Sequence, residues 1–395
     1  MPLLLDLTHT SHTRARTGVQ RVARALRREL AGKALAVCFD PFEGAWRPIE
    51  RWEEDNLEAA GPSERRGACW PLGARLRGSI RRWRRCPPSL AALPRAAAGS
   101  PDGVIVPEIF SPAVAAALPS LFAASTGPRV ALFHDAVALQ YPEFTPRSTV
   151  ARFPGYLREL LGFDGVAAVS EASRESLIGY WRWLGASRIP QVATIPLGID
   201  PVAPVRRMAS DPGPPTVLCV GSIEARKNHS ALLDACESLW GRGLKFQLRL
   251  AGLANAETGG HALAMLRRLR SAGRPVRYAG PVGDEALEAA YRECAFTVYP
   301  SLAEGFGLPV AESLARGKPC ACRTDGALGE IARAGGCISL GPAGPAEIAA
   351  ALARLIESPA ELALLSEAAR KRRFKTWADY ATELLLWMGS IKPAA

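Results

Sequence analysis

The chain has 395 residues, 48% hydrophobic and 22% charged, which predicts a globular protein of two domains and excludes a disordered one. The N-terminus, MPLLLDLTHT, has no basic region before its apolar run, so we expect a first strand there and not a signal peptide. The nine cysteines form no C-x-x-C pair, so neither a zinc site nor a disulfide framework is indicated, which favours a reducing, cytoplasmic location.

The net charge of +11 favours anionic partners in general, without choosing among nucleotides, a membrane surface and nucleic acid. No apolar run is long enough to predict a membrane-spanning helix.

The first 200 residues alternate between predicted strands and helices, as in a doubly wound α/β domain. Strands are predicted at 3–7, 35–39, 103–106, 130–133, 166–169 and 192–195. Helices are predicted at 19–30, 112–122, 148–162 and 171–184. We therefore assign residues 1–200 to an N-terminal Rossmann-like domain.

Two residues of this domain occupy positions where such sheets bind ligands. Gly18 lies between the first strand and the first helix, where a glycine would let the backbone approach a phosphate; a plain tight turn is the alternative. His134 follows a strand, at the carboxyl end where open α/β sheets bind ligands, and a buried structural histidine is the alternative.

Residues 43–102 show no clean alternation and interrupt the domain. Within them, Arg65 to Arg85 contains eight arginines and two tryptophans, with apolar residues at the three- and four-residue spacing of an amphipathic helix. A solvated surface and a peripheral contact with an anionic membrane both fit this pattern. A nucleic-acid partner is disfavoured.

A proline-rich linker at 201–215 precedes a second alternation, at 216–374. Its strands are predicted at 216–220, 246–251, 276–278, 296–299, 320–323 and 337–340, and its helices include 229–240, 345–357 and 360–372. A final amphipathic helix is predicted within 375–395. The sequence thus predicts two doubly wound Rossmann-like domains with a cleft between them.

The stretch YPSLAEGFGLPVAESLARGKP, residues 299–319, combines two carboxylates with an anion-binding backbone. Glu304 is predicted in a loop before Gly305-Phe306-Gly307, a helix should begin near Leu308, and Glu312 should lie on its first turn. Exposed amides and a helix N-terminus attract phosphate, whereas carboxylates accept hydrogen bonds from sugar hydroxyls. A nucleotide sugar has both groups; a surface loop with incidental glutamates is the alternative.

Arg226 and Lys227 precede the helix predicted at 229–240. Two cations beside the amides of a first helical turn would also bind phosphate, although ordinary surface charge would give the same pattern.

Together these motifs resemble the retaining glycosyltransferases of the GT-B type in family 4, glycosyl transferases group 1. The matching segments are EGFGLPVAE from Glu304 to Glu312, VGSIEARKN at 220–228, IPLGID at 195–200, the His134-Asp135 strand end followed by Tyr141-Pro142, and GVQR from Gly18. The resemblance covers the chain except for about 43–102.

The resemblance implies a role for each matching residue. Glu304 and His134 would face the donor sugar, Glu312 would bind the ribose, and Arg226 and Lys227 would stabilise the leaving diphosphate. The remaining implied donor contacts are Gly18, Ser222, Val282, Gly305, Phe306, Gly307 and Leu308. The 375–395 helix would return to the first domain. Ser222 departs from the arginine that some members carry, so phosphate contacts there would be fewer.

The implied reaction is sugar transfer from a nucleotide sugar to a glycan or lipid-linked acceptor. The sequence has no Asp-x-Asp pair, so neither a bound metal nor another cofactor is expected. The variants HDAVALQYPE and GSIEARKN are most similar to the mannose-transferring branch, which favours GDP-mannose over UDP- or dTDP-sugars. The enzyme would be cytoplasmic, with a peripheral position at the inner face of the membrane. A nucleotide-sugar 2-epimerase and a non-catalytic nucleotide- or glycan-binding protein are the alternatives.

Overall fold

The structure is a computed structural model that describes residues 2–59, 61, 67–84, 102–200 and 213–392. Most of the linker predicted at 201–215 lies outside the described residues, and so do Arg65, Arg66 and Arg85 of the arginine-rich segment. Among the helices of the described residues, none is long and apolar enough to cross a membrane.

Thirteen strands are found in the described residues. They are β1 (Leu3–Asp6), β2 (Ala34–Asp40), β3 (Ala45–Pro48), β4 (Val104–Val106), β5 (Arg129–Phe133), β6 (Gly165–Ala168), β7 (Gln191–Thr194), β8 (Thr216–Val220), β9 (Gln247–Ala251), β10 (Val276–Tyr278), β11 (Phe296–Tyr299), β12 (Cys320–Cys322) and β13 (Cys337–Ser339).

Fifteen α-helices are found in the same residues. They are α1 (Gly18–Glu29), α2 (Arg51–Glu58), α3 (Leu72–Trp83), α4 (Pro112–Phe122), α5 (Val137–Gln140), α6 (Arg147–Glu159), α7 (Glu171–Trp183), α8 (His229–Gly241), α9 (Gly260–Ser271), α10 (Asp284–Glu293), α11 (Leu308–Ala315), α12 (Gly326–Ala332), α13 (Pro345–Glu357), α14 (Pro359–Arg370) and α15 (Trp377–Ser390).

Two sheets confirm the predicted doubly wound architecture. The first has the order β3-β2-β1-β4-β5-β6-β7 and is parallel except for β3, which is antiparallel to β2. The second has the order β10-β9-β8-β11-β12-β13 and is parallel throughout. In such sheets the strand order reverses between two neighbouring strands, and ligands bind at the carboxyl ends of these strands. Here those neighbours are β1 and β4 in the first sheet, and β8 and β11 in the second.

Local sequence explains where several helices begin. The Ser111 hydroxyl caps α4 by accepting a hydrogen bond from the Val114 amide at 3.3 Å, and Pro112 occupies the first helical position. Thr17 and Gln20 form a capping box at the start of α1. These caps fix the points at which each strand-to-helix loop ends.

The chain divides into two compact units. The first comprises Met1–Asp135, Ala151–Gly198 and Trp377–Ala395, and the second comprises Ala136–Val150 and Ile199–Thr376. The sequence assigns Ala136–Val150 to the N-terminal domain, and the structure corrects this: Arg147 donates its backbone N–H to Glu257 of the second unit at 3.0 Å. This hydrogen bond could not be predicted from the local sequence, because the segment shows no core-forming pattern.

The segment 43–102, for which the sequence shows no clean alternation, contains β3, α2 and α3 among its described residues, and α3 lies where the sequence has the spacing of an amphipathic helix. Strand β3 was missed because it is a short antiparallel edge strand outside the strand–helix alternation. Helix α2 begins with a capping box between Glu50 and Glu53, and the Glu53 carboxylate is fully buried. Arg47 donates to both oxygens of Glu53, at 2.7 and 2.8 Å, which ties β3 to α2.

Helix α15 packs within the first unit, where its end covers strand β6. Gly165 lies under this contact: a Cβ built there would be 2.5 Å from Ile391 Cδ1 and 2.8 Å from the Trp387 ring. A side chain at this position would therefore push the C-terminal segment away from the sheet.

We expect Gly165→Ala to destabilise the protein by about 1–3 kcal/mol, the usual cost of overpacking, measured as a lower urea midpoint. Gly162→Ala is the matched control because a Cβ there would have no heavy atom within 4 Å. Equal midpoints for the two variants would contradict this packing of α15.

Candidate functional site

The loops that follow β8 and β11 meet beyond the carboxyl ends of these adjacent strands. The loop after β8 carries Arg226 and Lys227 in a 3-10 turn, and the loop after β11 carries Glu304. The Leu302 amide donates to the carbonyl of Arg226 at 2.8 Å, which holds the two loops together through their backbones. The neighbouring strands thus bring together three residues that lie up to 78 positions apart in numbering, Arg226, Lys227 and Glu304.

Glu304 is the centre of the contacts in these loops. Its Oε1 accepts hydrogen bonds from the Lys227 ammonium, the Ser301 hydroxyl and the Tyr299 hydroxyl, the last at 2.9 Å. Its Oε2 lies 3.0 Å from Nη1 of Arg226. Only 8% of the side chain is exposed, so the carboxylate is enclosed by donors on both oxygens.

The surrounding charges decide the ionisation of this carboxyl group. Burial opposes the charged form of Glu304, but Arg226 and Lys227 outweigh it and lower the pKa to about 2. Burial lowers the pKa of Lys227, with Arg226 adding to the effect and Glu304 opposing it. Burial and the nearby Glu304 raise the pKa of Tyr299 well above its usual value. Glu304 is therefore a carboxylate at neutral pH, and Tyr299 is a neutral donor.

Arg226 also contacts both loops. Its Nη2 lies 2.9 Å from Glu224 Oε1, and its Nη1 donates to the Ala303 carbonyl at 3.1 Å. Next in the chain, Asn228 has the left-handed conformation (φ 55°) at the start of α8, and its side-chain amide donates to the Ala343 carbonyl at 2.8 Å. The guanidinium and the ammonium are thus fixed at the N-terminus of a helix, as the sequence predicts.

The Gly305-Phe306-Gly307 turn leads directly into α11. Gly307 has φ +106°, and a Cβ there would be 2.6 Å from Leu328 Cδ2, so only glycine fits this turn. Within the described residues, the amides of Phe306, Gly307 and Leu308 donate to no other protein atom. They form the amide group at a helix N-terminus that the sequence predicts.

Glu312 is buried on α11 but is the fifth residue of the helix, which corrects the prediction that it lies on the first turn. The helix begins at Leu308 as predicted, but four residues precede Glu312, and at about 3.6 residues per turn this places Glu312 just beyond the first turn. Its Oε2 accepts a hydrogen bond from the Tyr291 hydroxyl at 3.4 Å. At a rise of about 1.5 Å per residue, Glu312 lies about 6 Å along the helix from Leu308.

Ser222 and Val282 lie in loops of the same sheet and are half-buried. Ser222 follows β8, and Val282 follows β10.

Sequence reasoning missed several residues near this site. Gly252 lets the backbones after β8 and β9 touch, since a Cβ there would be 2.0 Å from the Gly221 carbonyl oxygen. Tyr299, Ser301 and Glu224 were also missed; the only signal for the first two was their place immediately before Glu304.

The two predicted residues of the first unit lie at the carboxyl end of its own sheet. His134 is buried, and its Nε2 is 2.7 Å from the Pro107 carbonyl, while burial lowers its pKa. The neutral ring therefore donates from Nε2. Gly18 is exposed at the first position of α1 and a Cβ there would contact nothing within 4 Å, so its own unit does not require a glycine. Its phosphate role stays a prediction.

A buried carboxyl group holds the loop that leads to Gly18. Glu108, which follows β4, accepts hydrogen bonds from the amides of His9 and Thr10, each at 2.8 Å. Burial raises the pKa of Glu108 to about 8, and the nearby Asp6 adds to the increase. Sequence reasoning missed Glu108 because its partners are about 98 residues away and lie in a loop.

One group of described residues offers three potential metal ligands, His12, Cys38 and Glu53. The Arg47 guanidinium donates to both oxygens of Glu53, and His12 Nε2 is 2.6 Å from the same carboxylate. Because a cation already occupies the carboxylate, a metal ion does not fit this arrangement. The group stabilises the start of the first unit.

We expect Gly307→Ala to cost about 2–4 kcal/mol, because it combines left-handed strain with a clash against Leu328. The measurement is the urea midpoint of the variant. Gly260→Ala, at the start of α9, is the control because its Cβ would contact nothing within 4 Å. Wild-type stability of Gly307→Ala would show that the turn is not constrained as described.

Stability should also depend on pH through Glu304. Because the pKa of Glu304 is lowered from 4.5 to about 2, its ionised form stabilises the fold fully above pH 4.5, and this contribution is lost as the pH falls toward 2. The difference in urea midpoint between wild type and Glu304→Gln should shrink as the pH is lowered from about 7 to about 3. A constant difference over that range would contradict the ion pairs.

Comparison with known proteins finds a family model and relatives to which the chain is similar. Residues 206–372 match the family model described as glycosyl transferases group 1. Over its whole length the chain is 26% identical to the serotype-specific mannosyltransferase WbdA of Escherichia coli, and it spans 47% of that protein. The chain thus spans less than half the length of this relative. A second relative, the GDP-mannose-dependent alpha-(1-6)-phosphatidylinositol dimannoside mannosyltransferase of Mycobacterium tuberculosis, is 26% identical over 66% of this chain and 68% of its own.

Among solved structures, the complex of Anabaena Alr3699/HepE with UDP and glucose has a TM-score of 0.68 at 17% identity, covering 99% of this chain and 100% of that one. This likeness shows a common fold, and the predicted GT-B fold class is confirmed.

Proposed function

We propose that the chain, whose residues 206–372 match the family model of glycosyl transferases group 1, transfers a sugar from a nucleotide-sugar donor to a glycan or lipid-linked acceptor. The observation that carries the proposal is the enclosure of Glu304 by Lys227, Arg226, Tyr299 and Ser301 beside the amides of a helix N-terminus. This combination suits a ligand that has both an anionic diphosphate and sugar hydroxyls.

The cations of the second unit would bind the diphosphate. Arg226 and Lys227 are paired with Glu224 and Glu304, so the four side chains carry no net charge together. A diphosphate would therefore compete with Glu304 for the Lys227 ammonium, and the amides of Phe306 to Leu308 would supply further donors. Once Lys227 turns to the phosphate, Glu304 Oε1 can accept hydrogen bonds from hydroxyls of the donor sugar.

The bond changes follow from where charge develops. As the bond between the anomeric carbon and the phosphate oxygen breaks, its electron pair moves to the diphosphate, and Arg226 and Lys227 stabilise that charge. The acceptor oxygen forms its bond to the anomeric carbon from the same face. Its proton passes to the departing phosphate oxygen. This course gives retention, without a protein nucleophile.

The proposal also covers the identity of the donor and the cellular compartment. The two mannosyltransferase relatives, and the GDP-mannose named for one of them, support GDP-mannose as the donor. Arg226, Lys227 and the helix amides provide the stabilisation that a metal would otherwise supply, so we propose a metal-independent reaction. Glu312 would bind the ribose, and Ser222, Val282, Gly18 and His134 would complete the donor contacts. The enzyme would act in the cytoplasm.

The experiment is a panel of nucleotide sugars, with release of nucleoside diphosphate measured with and without oligosaccharide or lipid-linked acceptors. We expect acceptor-dependent release, with GDP-mannose as the best donor. Conversion of the donor without an acceptor would instead indicate an epimerase, and binding without release would indicate a non-catalytic protein.

Within that assay, Lys227→Met should lower the transfer rate by at least about 100-fold, because it removes one preorganised donor to the leaving group. Lys318→Met is the matched control: this half-buried lysine donates to the Arg292 and Cys294 carbonyls, before β12. Circular dichroism would verify that both variants are folded. A full transfer rate for folded Lys227→Met would remove the leaving-group role.

A further inference from the structure

Helix α3 packs within the first unit through two small residues on one face. Ala74 and Gly78 are its buried residues, and every other residue of the helix is exposed. A Cβ at Gly78 would be 2.9 Å from Phe42 Cβ and 3.1 Å from the Glu43 amide, so the helix backbone lies directly against the turn after β2. This narrow contact leaves most of the circumference of the helix facing outward.

The outward face carries four large apolar side chains. The exposed fractions are 73% for Leu72, 64% for Leu76, 50% for Ile80 and 82% for Trp83. At about 100° per residue, the four lie within a sector about 80° wide, whose centre is about 180° from the middle of the packed face. The helix is thus amphipathic, but unlike a helix that packs on a core it exposes its apolar stripe to solvent.

Arginines flank this stripe on both sides. By the same helical spacing, Arg75 and Arg82 lie on one side, and Arg77 and Arg84 lie on the other. The sequence from Leu72 to Arg84 contains no acidic residue. Arg77 pairs with Glu50 at 2.6 Å, yet 58% of its side chain remains exposed.

We propose that α3 binds to an anionic lipid surface, lying in the plane of the membrane with Leu72, Leu76, Ile80 and Trp83 among the acyl chains. A short helix with one apolar stripe and cationic flanks has the form of an interfacial helix. The flanking guanidinium groups would lie at the height of the lipid phosphates and attract anionic headgroups.

Two other occupants fit the surface less well. A second copy would bring the same row of arginines against its own, and these like charges repel. Nucleic acid would need aromatic rings for stacking, whereas three of the four apolar side chains are aliphatic. Charge complementarity therefore favours an anionic lipid surface as the partner of α3.

This proposal does not rest on the proposed sugar transfer, because α3 contributes none of the residues assigned to the donor. It would place the first unit at a membrane whatever the acceptor is. A failure of lipid binding would leave the reaction intact, and a failure of the reaction would leave lipid binding intact.

The test is flotation of the full chain with vesicles of phosphatidylcholine alone or with about one third phosphatidylglycerol. We expect binding to the anionic vesicles, weakened as salt is raised from about 0.1 M to about 0.5 M. The double variant Leu76→Glu and Ile80→Glu should bind at least about tenfold more weakly. Arg82→Gln and Arg84→Gln should each weaken binding by about fivefold.

The matched control changes two leucines outside α3 that are at least as exposed, as Leu364→Glu and Leu386→Glu, whose side chains are 69% and 72% exposed. It should bind vesicles like the wild type. Undiminished binding by the Leu76→Glu and Ile80→Glu variant, or no preference for anionic vesicles, would overturn the proposal. A lipid-free dimer that the same variant dissociates would assign the face to a second copy and overturn it as well.

Discussion

The second unit depends on one buried carboxylate that is shared between two cations. Glu304 is only 8% exposed, and Lys227 and Arg226 outweigh the effect of burial on its ionisation, while Glu304 in turn positions these cations. Because Arg226 and Lys227 follow β8 and Glu304 follows β11, the ion pairs fix the two loops at the point where the sheet winding reverses. Helix α11 begins four residues after Glu304, at Leu308. These ion pairs therefore fix the cations, the carboxylate and the helix N-terminus relative to one another.

In the proposed function, the same contact would let one site bind two chemically different groups. The carboxylate pairs with both cations, so none of the three charges is buried alone. An incoming diphosphate would replace Glu304 as the partner of Lys227 and thereby free a carboxylate oxygen for hydroxyls. Tyr299 and Ser301, which both donate to Oε1 of Glu304, would keep it oriented during that exchange.

Much of the fold could be predicted from the sequence because strand and helix periods repeat along the chain. Helix α4 was predicted at 112–122, where Ser111 and Pro112 mark its start, and the strands at 276–278 and 296–299 were also confirmed. Contacts between distant residues could not be predicted in this way. Neither Glu108, which binds the loop at His9, nor Gly252, which accommodates the Gly221 carbonyl, shows a local signal. The arginine-rich helix was visible as a pattern, but its outward apolar face became evident only from the packing of Gly78.

The most direct test of the account is calorimetry of GDP binding to the wild type and to two variants that remove opposite charges. If Lys227 binds the diphosphate while Glu304 competes with it, Lys227→Met should bind GDP at least about tenfold more weakly, and Glu304→Gln should bind it as tightly as the wild type or more tightly. Equal affinities for all three proteins, or a loss of affinity in Glu304→Gln as large as that in Lys227→Met, would contradict it.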